Sequence, residues 1–330
     1  MSSGEDEQSA TGGRRTSDGR EGAETSGPGE MLRVALRSAV AETQASIVLA
    51  EDSARRREAV RATRRALKDV RALATLCRPR DAVGQMGPHA SSTDGVVEFA
   101  AKANQLLGPL RDRDALVRSI QRLAERFADG EPRRVVRTVL LATLVYAEHD
   151  RVESDAWSQG SLDRARRAIG AMAVAAQSSE CLMFDEHHAA RTLIETHRRA
   201  VLTLRDALDA NDAGSGDLAR LHDGRKLASF LALTLKSFGD DVPADARRVR
   251  VRARRLASAL GEDRDLALLD VEMARVRTQL GGSALAVSID GALRLARLEA
   301  SARMEDAARS FLRLRRGRVA RAIEQLFGAD

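Results

Sequence analysis

The sequence predicts an all-α fold, because its composition and its apolar periodicity both favour helices. Apolar residues make up 43% of the 330 residues and aromatic residues only 3%. Most of the apolar residues are Ala, Leu and Val, and Ala and Leu lie at the helix-favouring end of the propensity scale. No segment shows the sustained two-residue alternation of a half-buried strand. We therefore expect helices and no sheet.

Gly, Pro and Ser clusters divide the helical pattern into segments. Two examples are "RPRDAVGQMGPHASSTDG" and "DANDAGSGD", which are compositions typical of loops. The predicted helices are 31–50, 54–78, 95–128, 132–149, 161–177, 186–210, 216–238, 244–280 and 284–327.

Charge is distributed unevenly along the chain. Residues 1–30 are rich in Gly, Ser, Glu and Thr and carry seven acids against three arginines, a composition that predicts a disordered acidic tail. The overall charge is +6, so the remaining 300 residues carry +10. Only four of the 54 basic residues are lysines. The planar guanidinium group of arginine can donate two hydrogen bonds to phosphate oxygens, which suits a phosphate better than the compact charge of lysine does.

The sequence predicts a cytoplasmic protein without a membrane segment. The longest apolar run, Val139 to Val145, is far shorter than the roughly 20 residues needed to span a bilayer. No apolar segment follows the acidic N-terminus, so no signal peptide is expected. Cys77 and Cys181 lie far apart and form no CxxC, which fits a reducing compartment and predicts neither a disulfide framework nor a zinc site.

The segment "AVRATRRALKDVRALATL", Ala59 to Leu76, predicts a helix with one apolar and one cationic face. At roughly 100° per residue its cations fall within an arc of roughly 120°. They are Arg61, Arg64, Arg65, Lys68 and Arg71, and opposite them lie Val60, Leu67, Val70, Leu73 and Ala74. Solvated helix faces usually mix charges of both signs, but the nearest acids here, Glu58 and Asp69, lie at the flanks of this stripe. The stripe is either a solvated face or an anion-binding surface.

An internal repeat distinguishes these two interpretations. "VRATRR" at 60–65 is matched by "LHDGRK" at 221–226, and "LGPLRD" at 107–112 by "LGEDRD" at 260–265. Two motifs recurring in the same order, at nearly the same interval, indicate an ancestral duplication with its boundary near 177–186. Each half then holds enough helices for an antiparallel bundle with its own core. We expect the two basic faces to meet at one shared groove.

At these motifs the sequence resembles the CHAD domain family, the conserved histidine α-helical domains. In that family each half carries a pattern like H-x-x-R-[KR]-x-x-[KR]-x-x-R, followed by L-G-x-x-[RHN]-D. "LHDGRKLAS" keeps the histidine, and "AVRATRRALKDVRAL" keeps everything except the histidine, which is Arg61. The downstream "LLGPLRDRDALV" and "ALGEDRDLALL" are similar to the acidic motifs of the two halves. The resemblance covers about 31–327.

The resemblance implies two pseudo-symmetric antiparallel four-helix bundles, about 31–180 and 181–327, around a basic central groove or pore. It implies a domain that binds inorganic polyphosphate, associates with polyphosphate granules and their proteins, and has no catalytic activity or cofactor. The second half departs from the pattern, because Ser229 and Ala232 stand where the first half has Lys68 and Arg71. Lys236, fourteen residues after His222, could restore some of that charge.

The candidate polyphosphate-binding residues are drawn from the two motifs and from other basic positions at helical spacing. The run "RRVRVRARR" at 247–255 must spread its arginines around a helix. Arg111 and Arg264 could each be a phosphate ligand or a partner within a bundle. The full set is Arg61, Arg64, Arg65, Lys68, Arg71, Arg111, His222, Arg225, Lys226, Lys236, Arg248, Arg252, Arg255, Arg309, Arg313 and Arg316.

The carboxylates of the LGxxRD motifs have two possible roles. Asp112, Asp114 and Asp265 could orient arginines of the binding surface, as outer residues orient the ligands of a binding site. They could instead hold a divalent cation in a polyphosphate- or nucleotide-processing enzyme. No phosphate loop, HExxH or GxSxG motif accompanies them. We expect the orienting role, with no metal.

Three functional hypotheses follow from these residues. The first is non-enzymatic polyphosphate binding in the basic groove. The second is a nucleic-acid-binding or regulatory helical protein, although the scarcity of aromatic residues argues against stacking of single-stranded bases. The third is the metal-dependent enzyme.

Overall fold

The computed structural model describes residues 27–77, 92–128, 130, 133–141, 154–177, 184–212, 218–240, 242–280 and 283–328, and these ranges contain helices and no strand. The all-α prediction is confirmed. The helices are α1 Pro28–Leu49, α2 Arg56–Leu76, α3 Ser92–Leu106, α4 Gly108–Ala124, α5 133–141, α6 Ser154–Ala176, α7 Glu186–Asp212, α8 Leu218–Lys236, α9 Ala244–Leu280, α10 Ala284–Leu312 and α11 Arg316–Leu326.

The helix predicted over 95–128 is two helices in the structure. α3 ends at Leu106 and α4 begins at Gly108 with Pro109 in its first turn. Proline has no N–H to continue the hydrogen-bond ladder of α3, and its ring would clash with the carbonyl four residues earlier, whereas it is well tolerated in the first turn of a new helix. The break therefore lies inside the LGxxRD motif of the first half, while α9 runs through the second copy without interruption.

The two ends of the described chain also differ from the prediction. The predicted tail extended to residue 30, but α1 already begins at Pro28, after an N-cap at Gly27, and residues 1–26 lie outside the described ranges. The helix predicted over 284–327 breaks at Arg313–Arg315, where Arg315 adopts an extended backbone. This break turns α11 back onto α7 and α9. Its Val319, Ile323 and the following Phe327 are thereby buried.

Helices of the N-terminal half pack as a closed set of four, in which α1 contacts α2 and α6, and α3 contacts the same two. In the C-terminal half, α8 lies between α7 and α9, while α10 packs on α9 and contacts α7. The helix α2 joins the two sets because it also contacts α8. The predicted apolar face of α2 is confirmed, since Val60, Leu67, Val70 and Leu73 are all buried.

The buried apolar residues do not divide into one core for each half. The larger cluster combines residues of α1, α2, α3 and α6 with residues of α7, α8, α11 and the first part of α9. A second cluster joins α4 and α5 to the later part of α9 and the first part of α10. The described residues therefore do not show a separate core for each half. The larger cluster is shared because α2 packs on α8. The second is shared because α4 and α5 bury apolar residues against α9 and α10.

No helix in the described ranges is both long enough and apolar enough to cross a bilayer.

Candidate anion-binding site

Five cationic side chains from four helices converge where the two halves meet. Arg64 and Lys68 come from α2, Arg111 from the start of α4, Arg225 from α8 and Arg264 from the middle of α9. Their charges act on one another, because Arg64 and Lys68 each feel the repulsion of Arg111, Arg225 and Arg264. We call these five residues the central cluster.

Two carboxylates lie within the central cluster and pair across the two halves. The Nη1 and Nη2 atoms of Arg111 donate to Asp112 Oδ1 and Asp265 Oδ1, both at 2.7 Å. Reciprocally, Nη2 of Arg264 lies 3.9 Å from Asp112 Oδ1. Each LGxxRD motif thus places its arginine against the aspartate of the other motif. Five cations against two carboxylates leave a net charge of +3.

Arg64 and Arg225 hold equivalent positions against the two LGxxRD motifs. A Cβ atom added to Gly108 would lie 3.8 Å from Nη1 of Arg64, and one added to Gly261 would lie 3.7 Å from Nη1 of Arg225. Arg64 Nη1 also donates to the main-chain carbonyl of Asn104, close to the end of α3. In both halves, therefore, the matching arginine, Arg64 or Arg225, lies against the glycine of the LGxxRD motif.

Crowding lowers the pKa of the two α2 cations. Burial and then the repulsion of Arg225 and Arg64 lower the pKa of Lys68 to about 8. Burial and then the repulsion of Arg111 lower the pKa of Arg64 to about 10. The Lys68 side chain keeps an exposed surface, so its desolvation comes from the density of protein atoms around it and not from complete removal from water. The ammonium is therefore both crowded and accessible.

The second half shows the same effect. Burial and then the Arg264 charge lower the pKa of Arg225. Burial also lowers the pKa of His222, and the charges of Arg225 and Lys226 add to this shift. A neutral imidazole can donate one hydrogen bond to an anion, and His222 is only partly buried.

Arg111 differs from the other members because carboxylates surround it. Burial acts to lower its pKa, but the hydrogen bond to Asp112 and the charge of Asp265 outweigh burial and raise it. Its side chain is only 18% exposed. Of the two roles considered for this arginine, the geometry favours that of a partner within the protein, with a small exposed fraction left for a ligand.

Arg61 lies beside the central cluster and is engaged by a buried carboxylate. Its Nε and Nη2 atoms donate to Asp114 Oδ2 and Oδ1, each at 3.1 Å. Arg118 donates to the same carboxylate from one turn further along α4. Asp114 is 8% exposed. It therefore holds Arg61 in place, which is the geometry that the orienting role requires.

The remaining predicted cations of α2 and α8 lie around the central cluster. Arg65 and Arg71 are exposed on α2. Lys226 is exposed and pairs with Asp223 at 2.9 Å within α8. Lys236 lies near Asp69 of α2, where burial raises the pKa of the aspartate and the Lys236 charge opposes that shift. Lys236 therefore balances an acid of the first half.

Six predicted cations lie apart from the central cluster, on α9, on α10, at the C-cap of α10 and on α11. Arg252 donates to the carbonyl of Ser310 at 2.9 Å, and Arg255 pairs with Asp306 at 2.6 Å. At 100° per residue Arg252 and Gly261 lie roughly 180° apart on α9. None of the six belongs to the central cluster: three share the side of α9 opposite Gly261, and three lie on α10, on α11 or between them. Their role as polyphosphate ligands stays a prediction. The six are Arg248, Arg252, Arg255, Arg309, Arg313 and Arg316.

Arg264 belongs to the central cluster although its role was left open by the sequence. It occupies the position in "LGEDRD" that Arg111 occupies in "LGPLRD", and this equivalence was the available signal. Its side chain is 43% exposed, against 18% for Arg111. It therefore offers more surface to a ligand than its counterpart does.

The carboxylates of the site are committed to arginines. Asp112 and Asp265 pair with Arg111, and both oxygens of Asp114 pair with Arg61. Within the described ranges, no three acidic, histidine or cysteine side chains are placed to hold a metal ion. The arrangement suits charge-assisted hydrogen bonding to an anion.

Comparison with protein-family models, with curated proteins and with solved structures finds no match for this chain.

Proposed function

We propose that this chain is a CHAD-type protein that binds inorganic polyphosphate at the central cluster without catalysing a reaction. The observation that carries this proposal is the convergence of Arg64, Lys68, Arg111, Arg225 and Arg264 from four helices. Cations that repel one another at close range weaken the folded state unless an anion lies between them. Strongly perturbed pKa values in such a cluster are typical of functional sites.

The chemistry of the central cluster fits a chain of phosphates better than a single anion. Four of its five cations are arginines, whose planar forks donate two parallel hydrogen bonds to phosphate oxygens. Its net charge of +3 exceeds what one small anion would neutralise. The exposed Arg61, Arg65 and Arg71 extend the positive surface along α2, so several consecutive phosphates can be engaged together.

The reciprocal pairing of Arg111 with Asp265 and of Arg264 with Asp112 supports an origin by duplication. In a contact related by a twofold axis, residue i of one unit meets residue j of the other and j meets i. The matching positions of Arg64 and Arg225 against Gly108 and Gly261 support the same relation. We propose two pseudo-symmetric units, in which each contributes part of one groove.

Polyphosphate is favoured over single-stranded nucleic acid because no aromatic side chain belongs to the central cluster. Single-strand binders normally stack bases on aromatic rings. A bare phosphate chain is slim and can lie among cations that approach from several helices. We further propose that the protein associates with polyphosphate granules in the cytoplasm and carries granule-associated proteins to them.

The direct test is polyphosphate binding by the full chain and by the triple variant Arg64→Ala, Arg65→Ala, Lys68→Ala. We expect weaker binding and a smaller salt dependence, since each lost phosphate contact reduces the log–log slope by roughly 0.7 to 0.9 by analogy with nucleic acids. The matched control is Arg37→Gln, Arg137→Gln, Arg205→Gln. It removes three exposed arginines from α1, α5 and α7.

Two results would overturn the proposal. One is equal polyphosphate binding by the cluster variant and the matched control. The other is displacement of polyphosphate from the parent protein by single-stranded DNA as effectively as by polyphosphate itself, at equal phosphate concentration. Release of inorganic phosphate on incubation with polyphosphate and Mg²⁺ would instead favour the metal-dependent enzyme.

A further inference from the structure

The turn between α10 and α11, together with the adjoining parts of both helices, forms a basic segment without acidic residues. Between Asp306 and Glu324 the sequence contains no acidic residue. All the arginines of this segment are exposed. They are Arg309, Arg313, Arg315, Arg316, Arg318 and Arg321, and we call them the corner arginines.

The fold holds these arginines on the outside of the molecule. Phe311, Val319 and Ile323 are at most 2% exposed and anchor both sides of the turn in the core. The extended backbone of Arg315 separates the two helices. Because the apolar residues occupy the inner faces of both helices, the basic residues between them project outward.

Most of this charge has no paired carboxylate among the residues that the structure describes. Arg309 pairs with Glu305 at 3.4 Å, in an exposed contact one helical turn apart, and such pairs contribute little. In the described part of the chain no carboxylate pairs with Arg313, Arg315, Arg316 or Arg318. Four uncompensated positive charges within six residues create a strong local potential that attracts polyanions.

The corner arginines are separate from the central cluster. The α9 face that contacts α10 carries Arg252, which donates to the carbonyl of Ser310 near the corner. The opposite α9 face carries Gly261, which faces Arg225. A ligand at the corner therefore does not occupy the central cluster, and the two surfaces can be tested independently.

We propose that the corner arginines form a second anion-binding surface, which holds the phosphate backbone of double-stranded nucleic acid without reading its sequence. Side chains that project from an outer corner contact a ligand from one side only. A duplex is broad and stiff and presents phosphates on two strands, so it can meet several of these arginines at once. Contacts to phosphates from arginines and helix N-termini position a protein on a duplex but carry no sequence information.

One observation favours a phosphate ligand, and two argue against a bilayer and against single-stranded nucleic acid. The N-terminus of α11 has no side-chain cap and no acidic residue in its first turn, so its N–H groups and helix dipole favour a phosphate. No large apolar side chain is exposed in residues 309–321, so nothing is available to insert into a bilayer. The aromatic residue of this segment, Phe311, is fully buried, so no ring can stack an unpaired base.

The experiment is a fluorescence anisotropy titration of a labelled duplex of about 24 base pairs with the full chain across a salt series. The corner variant is Arg313→Gln, Arg315→Gln, Arg318→Gln, and the control is again Arg37→Gln, Arg137→Gln, Arg205→Gln. We expect the corner variant to bind the duplex at least tenfold more weakly than the control, with a log–log salt slope smaller by about 2 to 3. Its polyphosphate binding and its melting temperature should match those of the control.

Several outcomes would overturn the inference. The corner variant could bind the duplex as tightly as the control. It could instead lose binding to anionic phospholipid vesicles while its duplex binding is unchanged, or lose polyphosphate and duplex binding equally. If the triple variant fails to fold, the triple lysine variant at the same positions keeps the charge and should retain most of the duplex affinity. Its loss of duplex binding while folded would also contradict a charge-based contact.

Discussion

Arg111 of α4 lies 2.7 Å from Asp265 of α9, while their counterparts Arg264 and Asp112 lie 3.9 Å apart. The two contacts are related by exchange of the LGxxRD motifs, but only the first is a close ion pair. Arg111 and Asp265 are 18% and 16% exposed, whereas Arg264 and Asp112 are 43% and 38% exposed. The better-buried pair fixes the relative position of α4 and α9, and the looser pair leaves Arg264 accessible.

We first predict unequal effects of removing the two aspartate charges. Asp265→Asn leaves a mostly buried arginine with one carboxylate, and we expect it to lower the free energy of unfolding by about 1–3 kcal/mol. Asp112→Asn should cost less, because its carboxylate is more exposed and its second arginine more distant. Urea unfolding of both variants measures this. Equal losses, or a larger loss for Asp112→Asn, would contradict the assignment of the closer pair as the structural one.

The second prediction concerns stability without ligand and its pH dependence at Lys68. Because the pKa of Lys68 falls to about 8 in the folded protein, the unfolded chain binds more protons between about pH 8 and its usual value of roughly 10.4. Stability should therefore rise with pH in this window. Lys68→Met should raise the melting temperature at neutral pH and reduce that rise. A lower melting temperature would show that the lysine stabilises the fold.

Thirdly, polyphosphate affinity should fall as the pH increases through about 8. The ligand binds the protonated ammonium, so binding raises the pKa of Lys68 and takes up protons near that pH. Isothermal titration calorimetry in buffers of different ionisation enthalpy detects this uptake. We expect Lys68→Met to abolish it and to weaken binding about tenfold, as expected for one charge-assisted contact. Unchanged proton uptake in the variant would assign it to a group other than Lys68.

A fourth prediction compares two cations of the same helix. Arg61 forms an ion pair with Asp114, whereas the arginines around Lys68 repel its ammonium group. Arg61→Gln should therefore reduce polyphosphate affinity less than Lys68→Gln, although each removes one positive charge. Competition binding against one labelled polyphosphate compares them directly. A larger effect at Arg61 would show that the residue in the position of the family histidine contacts the ligand itself.

The fifth prediction is loss of stability in acid through His197. Burial and then the Arg316 charge lower the pKa of His197 to about 4, and among the described residues its Nε2 has no hydrogen-bond partner. The unfolded chain binds more protons between about pH 4 and pH 6.5, so stability falls as the pH drops through this range, by roughly 2–4 kcal/mol. His197→Leu should reduce the loss, measured by urea unfolding at several pH values. His187→Gln, on the exposed surface, is the control, and an equal effect there would refute the assignment.

The two helix breaks that were not predicted have different physical causes. The break at Leu107 has a local cause, Pro109, and could have been predicted from it. The break at Arg313–Arg315 has no proline beside it. It forms because α11 buries Val319, Ile323 and Phe327 by folding back, and that energy comes from partners distant in sequence.

Most of the helices, the apolar face of α2, the opposing cationic stripe and the paired LGxxRD motifs can be predicted from the sequence. These depend on periodicity and spacing within single segments, which local chemistry dictates. Which cations come together depends on the packing of the helices. This packing joined Arg64 and Lys68 to Arg225 and Arg264, and it placed Arg252 on the other side of α9. Whether two charged faces approach depends on how the helices pack, and that packing is set by apolar burial across the whole chain.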